Sequence, residues 1–100
     1  MLRENILTME KNKTKQIQEI LTQWNPLGKR SKVIPDLNNY ETEAEDIIFN
    51  IVMEVEMANR PNLKKLTHKI VRQVLNEAFN MDLTAIECEN ASELIYKVLK

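Results

Sequence analysis

From Thr14 onward, apolar residues recur with the period of a helix. Ile17, Ile20, Leu21 and Trp24 stand at i, i+3, i+4 and i+7, which lines up a single stripe, and Thr14 is the expected N-cap. The residues before it, Leu2 to Lys13, are polar with scattered apolar positions (Leu2, Ile6, Leu7, Met9), a pattern that fits a helical extension and a frayed tail equally well. Asn25-Pro26 stops the first helix, because proline disfavours the α conformation in the residue before it and has no N–H to donate, and Gly28 supports the turn. Lys29 to Asn39 reads as an exposed loop around Val33 and Ile34, with Pro35 and a basic cluster of Lys29, Arg30 and Lys32.

The second helix is predicted to start at Thr42, where Thr42 and Glu45 have the spacing of a capping box. Ala44, Ile47, Ile48, Ile51, Val52, Val55 and Ala58 give it a broad apolar face, with Phe49, Met53 and Met57 partly outside, so it is the helix expected to be most buried. Asn59-Arg60-Pro61-Asn62 breaks the pattern. A third helix follows from about Pro61 to Phe79, with Leu63, Leu66, Ile70, Val71, Val74, Leu75 and Ala78 inward. After Asn80-Met81-Asp82 the stretch Leu83 to Glu89 is ambiguous. Asn90 and Glu93 then repeat the capping spacing ahead of Ala91, Leu94, Ile95 and Val98 in a last helix. The expected fold is all-α: a small single-domain bundle of about four helices over residues 14–100, with a longer loop between helices one and two and residues 1–13 as an N-terminal extension. Periodicity does not choose the packing order.

Composition agrees with helices, since hydrophobic residues make up 43% of the 100-residue chain while Gly occurs once and Pro three times. A domain this short buries a modest share of its surface, so a homodimer that hides leftover apolar area is compatible with it. The single Cys88 excludes an intramolecular disulfide. With no apolar run of about 18 residues and no secretory leader pattern, the expectation is no membrane partner and a cytoplasmic location.

Charge changes the picture more. The net charge of −1 conceals blocks of +4 over residues 1–32, −7 over 33–59, +5 over 60–72 and −3 over 73–100. In one reading, adjacent helices of opposite sign simply attract each other, each exposed pair contributing about 0–1 kcal/mol. In the other, the acidic block meets a basic protein through Asp36, Glu41, Glu43, Asp46 and Glu54, where complementary charge speeds encounter and excludes wrong partners. Lys65, Lys69 and Arg72, at i, i+4 and i+7, form an alternative basic surface that could follow a phosphate backbone. The sequence pI near 5.9 and the lack of interleaved aromatics weigh against nucleic acid.

Candidate chemistry is sparse. His68 and Cys88 are the only residues of their types, too few for a structural zinc site and without a third group to orient a Cys–His pair. Glu43, Asp46 and Asn50 share one side of helix two, where acids could hold a cation or move protons, but a solvated polar face is the simpler account. Trp24 and Tyr40 read as structural aromatics. No catalytic residue, metal or cofactor is assigned, and the chain is read as a non-enzyme.

Trp24-Asn25-Pro26-Leu27-Gly28 and Tyr40-Glu41-Thr42-Glu43-Ala44-Glu45-Asp46 resemble the YugE-like family of small bacterial proteins, a domain of unknown function. The likeness extends through the helix ending at Phe79, the acidic turn holding Cys88 and the helix from Ala91 to Leu99. It covers about Ile17 to Leu99, and the loop Lys29 to Asn39 is longer than the family's. The resemblance implies a small helical bundle and supplies no activity, cofactor or partner. The functional expectation is therefore a non-catalytic protein-binding module, in its specific form an antitoxin or toxin-immunity protein that meets a basic partner through helix two. A nucleic-acid-associated regulator using helix three is the alternative.

Overall fold

Ile17 and Leu21 are fully buried on the inner side of α1 (Leu2–Trp24), with Ile20 and Trp24 half-buried beside them. The computed structural model describes residues 2–57 and 62–100, with side chains over 12–56 and 62–100. α1 is one continuous helix, so Thr14 lies inside it and is not its cap. No Gly or Pro interrupts the segment before Trp24, and a helix once nucleated propagates through such residues. Asn25 ends α1 with a positive φ of 48°, and its N–H bonds back to Leu21 O at 2.7 Å.

The connection to α2 (Glu41–Met57) is ordered where an open loop was expected. It holds a 3-10 helix over Gly28–Val33 and a tight turn over Asn38–Tyr40. Leu37 is buried, Ile34 is half-buried against the core, and Arg30 Nη2 donates to Phe79 O at 3.3 Å. Asn38, Asn39 and Tyr40 all take left-handed backbone, with φ of 44°, 55° and 64°. Asparagine tolerates this conformation, whereas for a bulky L-residue it costs about 1–2 kcal/mol.

The bonds around Tyr40 offset that cost. Its hydroxyl donates to Asn25 Oδ1 at 2.6 Å and accepts the Leu27 N–H at 3.3 Å. Its ring is 2% exposed and meets Phe79 edge to face at 6.0 Å. From α1, Gln18 Nε2 donates to Asn38 O at 3.2 Å, and the Thr22 hydroxyl lies 3.1 Å from Asn39 O. Because the left-handed turn delivers the chain into α2 at Glu41, Thr42 falls within the first turn and the Thr42–Glu45 capping box does not start the helix.

α3 (Leu63–Phe79) starts at Asn62, whose side chain accepts the Lys65 N–H, and ends on left-handed Asn80. α4 (Ala85–Leu99) begins earlier than the Asn90 spacing suggested. Thr84 and Glu87 form the capping box, at 3.2 and 3.1 Å, while Asn76 grips both backbone groups of Leu83 and fixes where α4 can begin. Around the bundle α1 packs on α2 and α4, and α3 on α2 and α4, with α1 diagonal to α3 and α2 diagonal to α4 among the described residues. This is the packing order that periodicity left open. The radius of gyration, 13.5 Å, is close to that of a compact chain of this length. Among the described residues there is no strand, and the all-α bundle is as expected.

The core joins Ile17, Leu21, Leu27, Leu37 and Tyr40 with Ala44, Ile47, Ile48 and Ile51 of α2, Ile70, Val71, Val74 and Leu75 of α3, and Ile95 of α4. Several residues expected inward are not. Val52, Val55 and Leu94 are exposed, as is Ala78 at the end of α3. Ala58 and Asn59-Arg60-Pro61 lie outside the described residues. Tyr40→Phe keeps the ring and removes both hydroxyl bonds. We expect it to cost about 1–2 kcal/mol in urea unfolding, since the half-buried Asn25 side chain and the buried Leu27 N–H then lose their partner; an unchanged midpoint would show that the hydroxyl does not hold the turn.

Candidate protein-interaction surface

α2 was expected to be the most buried helix, yet it carries four of the seven large apolar residues that are exposed among the described residues: Phe49 (62%), Val52 (38%), Met53 (41%) and Val55 (42%). The physical reason is the width of its apolar arc. Ala44, Ile47, Ile48 and Ile51 fill the side that packs on α1 and α3, Phe49, Val52 and Met53 fall beyond that arc, and Val55, at i+4 from Ile51 and i+7 from Ile48, lies on it yet is exposed near the end of α2. The sequence signal was the presence of Phe49 and Met53 outside the main stripe.

Helical spacing places Glu45, Phe49, Val52, Met53 and Glu56 (i, i+4, i+7, i+8, i+11) along the outer side of α2, away from its buried residues. Beside Phe49 a shallow groove of about 370 Å³ runs between α1 and α2, lined by Thr14, Glu45, Asp46, Ile48, Phe49 and Val52. Glu45, Asp46, Glu54 and Glu56 are exposed and, among the described residues, make no ion pair. The outer face is thus an apolar centre bracketed by Glu45, Asp46 and Glu56, whereas Glu54, at i+7 from Ile47 and i+3 from Ile51, stands on the inward side of α2.

The five acidic residues singled out from the sequence are not equivalent in space. Asp36, Asp46 and Glu54 are exposed. Glu41 is half-buried and accepts a hydrogen bond from Asn38 Nδ2, which ties it to the Tyr40 turn. Glu43 is only 8% exposed and its Oε1 has no partner, so it belongs to the interior. Burial pushes the Glu43 carboxyl above its usual range, the Asp46 charge adds to the rise, and a backbone hydrogen bond opposes it. Glu43 and Asp46 therefore do not form a shared acid site, and Asn50 bonds back to Asp46 O at 2.7 Å.

The basic helix pairs elsewhere than with α2. Lys64 Nζ and His68 Nε2 lie 3.0 and 3.1 Å from Glu93 Oε1, linking α3 to α4, and the Lys64 hydrogen bond, with help from His68, holds the Glu93 carboxyl below its usual range. Lys65, Lys69 and Arg72 are exposed on α3 and, among the described residues, without ion pairs. Cys88 is 1% exposed, and burial pushes its thiol up, away from the thiolate that nucleophilic chemistry needs, despite some opposing pull from Arg72. No hydrogen bond joins it to His68. Among the described residues no group of three or more His, Cys, Asp or Glu could hold a metal ion, and no helix is long and apolar enough to cross a membrane.

A carboxyl whose folded pKa is raised binds its proton more tightly in the native state, so its penalty is absent below the unfolded pKa and grows as pH rises through the window up to the folded pKa. Glu43→Gln should raise the melting temperature at pH 7, and that gain should shrink toward pH 4; an equal effect at both values would contradict a desolvated carboxylate. Cys88 should react with a thiol reagent only as fast as the chain opens, with rapid labelling of the native protein as the contrary result.

Compared with protein-family models, curated proteins and solved structures, the chain matches none. The resemblance to the YugE-like proteins rests on the quoted residues alone.

Proposed function

We propose that this protein is a non-catalytic protein-binding module whose interaction surface is the outer face of α2. The observation that supports this reading is the coincidence of exposed Phe49, Val52 and Met53 with the exposed carboxylates of Glu45, Asp46 and Glu56, which make no ion pair among the described residues. Exposed apolar side chains on a small domain are tolerated singly, but a contiguous set with a charged rim is the usual form of a binding patch. Carboxylates without internal partners favour a basic partner. Antitoxin or immunity action, in which the acidic helix covers a basic surface of a toxin, is the specific form of this reading.

A second reading uses α3, where Lys65, Lys69 and Arg72 present three bases on one stripe that make no ion pair among the described residues. It predicts retention on DNA or RNA that weakens steeply as salt rises, because phosphate binding releases counterions. Retention that does not vary with salt, or none at low salt, rules it out.

The test of the first reading is affinity capture from native lysate, with nuclease present, comparing the wild-type chain with Phe49→Ser and with Asp46→Lys combined with Glu56→Lys. The expected result is a basic protein recovered in stoichiometric amount by the wild type and lost from both variants. The same protein recovered equally by all three would show that α2 is not the surface.

A further inference from the structure

We infer that the element docking on α2 is a cationic amphipathic α-helix, lying along the groove between α1 and α2. The inference rests on the reading of α2 as the interaction surface and adds the form of the partner. The mode follows from what α2 offers. Its backbone N–H and C=O groups are bonded within the helix, so a strand cannot add to it, and what remains for recognition is a row of side chains at helical spacing. Phe49 and Met53 stand one turn apart at the centre of that row, Val52 and Ile48 slope into the groove, and Thr14 of α1 forms the opposite wall. A helix presenting apolar residues at i, i+3 or i+4 and i+7 matches this relief.

The charges set the partner's pattern. Glu45 and Asp46 stand before the apolar centre and Glu56 after it, separated along α2 by about 16 Å at the rise of a helix. A matching segment carries Lys or Arg at both ends of about three turns and apolar residues between. A second copy of this chain fits poorly. Pairing α2 with α2 brings Glu45 and Asp46 against Glu56 in one direction and against themselves in the other, and like charges repel in both. The exposed α3 stripe of Lys65, Lys69, Arg72 and Gln73 offers charge without an apolar anchor.

The experiment is an amide NMR titration of the full chain with two peptides of about 16 residues built from Leu, Ala and Lys, the length that spans the row with a turn to spare. One peptide places its Leu on a single face between terminal Lys residues, and the other has the same composition rearranged so that no face is apolar. The facial peptide should shift amides around Phe49, Val52 and Met53, and Phe49→Ser, or Glu45→Lys with Asp46→Lys, should weaken it by about tenfold or more, as loss of a central anchor does. The rearranged peptide should shift few of these amides at the same concentration. Equal binding of both peptides, shifts confined to another face, or no shifts would overturn the helical occupant. If the facial peptide fails while the α2 variants still lose protein capture, the helical occupant falls and the binding-module reading stands; if the variants also retain capture, both fall. Sedimentation showing a dimer that Phe49→Ser dissociates would make a second copy the occupant and contradict the inference.

Discussion

Tyr40 fixes the geometry on which the rest of the bundle depends. Its backbone is left-handed, which a tyrosine adopts only against a steric cost, and its side chain reaches back across the chain reversal to Asn25 and Leu27 while its ring rests on Phe79. These contacts tie the end of α1, the start of α2 and the end of α3 at one place. They also decide where α2 begins. In a helix, each residue advances the chain by about 100°, so the start and the exit direction of the first turn fix which residues face inward.

With α2 entering at Glu41, the residues brought against α1 and α3 are Ala44, Ile47, Ile48 and Ile51, and Phe49 and Met53 are turned outward. The same rotation brings Glu43 into the interior and leaves Glu45 and Asp46 in water. The acidic block of the sequence is therefore split by the fold into a buried carboxylate, Glu43, whose burial opposes ionisation, and a surface set that gives the outer face its sign. Lys64 and His68 close α3 onto α4 through Glu93, so the attraction expected between the acidic and basic helices is made between α3 and α4.

Much of the architecture was legible in the residue pattern because each helix carries a stripe at helical period, as with Ile17, Leu21 and Trp24 or Ile70, Val74 and Leu75. Where reading failed, two local signals competed and tertiary contacts chose between them. Thr84–Glu87 and Asn90–Glu93 both have capping spacing, and the grip of Asn76 on Leu83 selects the first. Thr42–Glu45 loses to the left-handed turn at Asn38–Tyr40, which rests on Gln18 and Thr22, about 20 residues earlier in the chain. The candidate surface was half legible. Its charge was written in the block of acids, but which apolar residues accompany that charge depended on how much of α2 its neighbours could cover.

Phe49 and Met53, on the outer side of α2, contribute little to holding the bundle together. The decisive measurement is equilibrium urea unfolding of the double variant Phe49→Ser with Met53→Ser. Its stability should lie within about 1 kcal/mol of wild type, since a surface substitution changes stability by about 0.5 kcal/mol at most. A loss of about 3 kcal/mol or more, the size of a core truncation, would mean that Phe49 and Met53 are packed in the native state and that α2 has no free outer face.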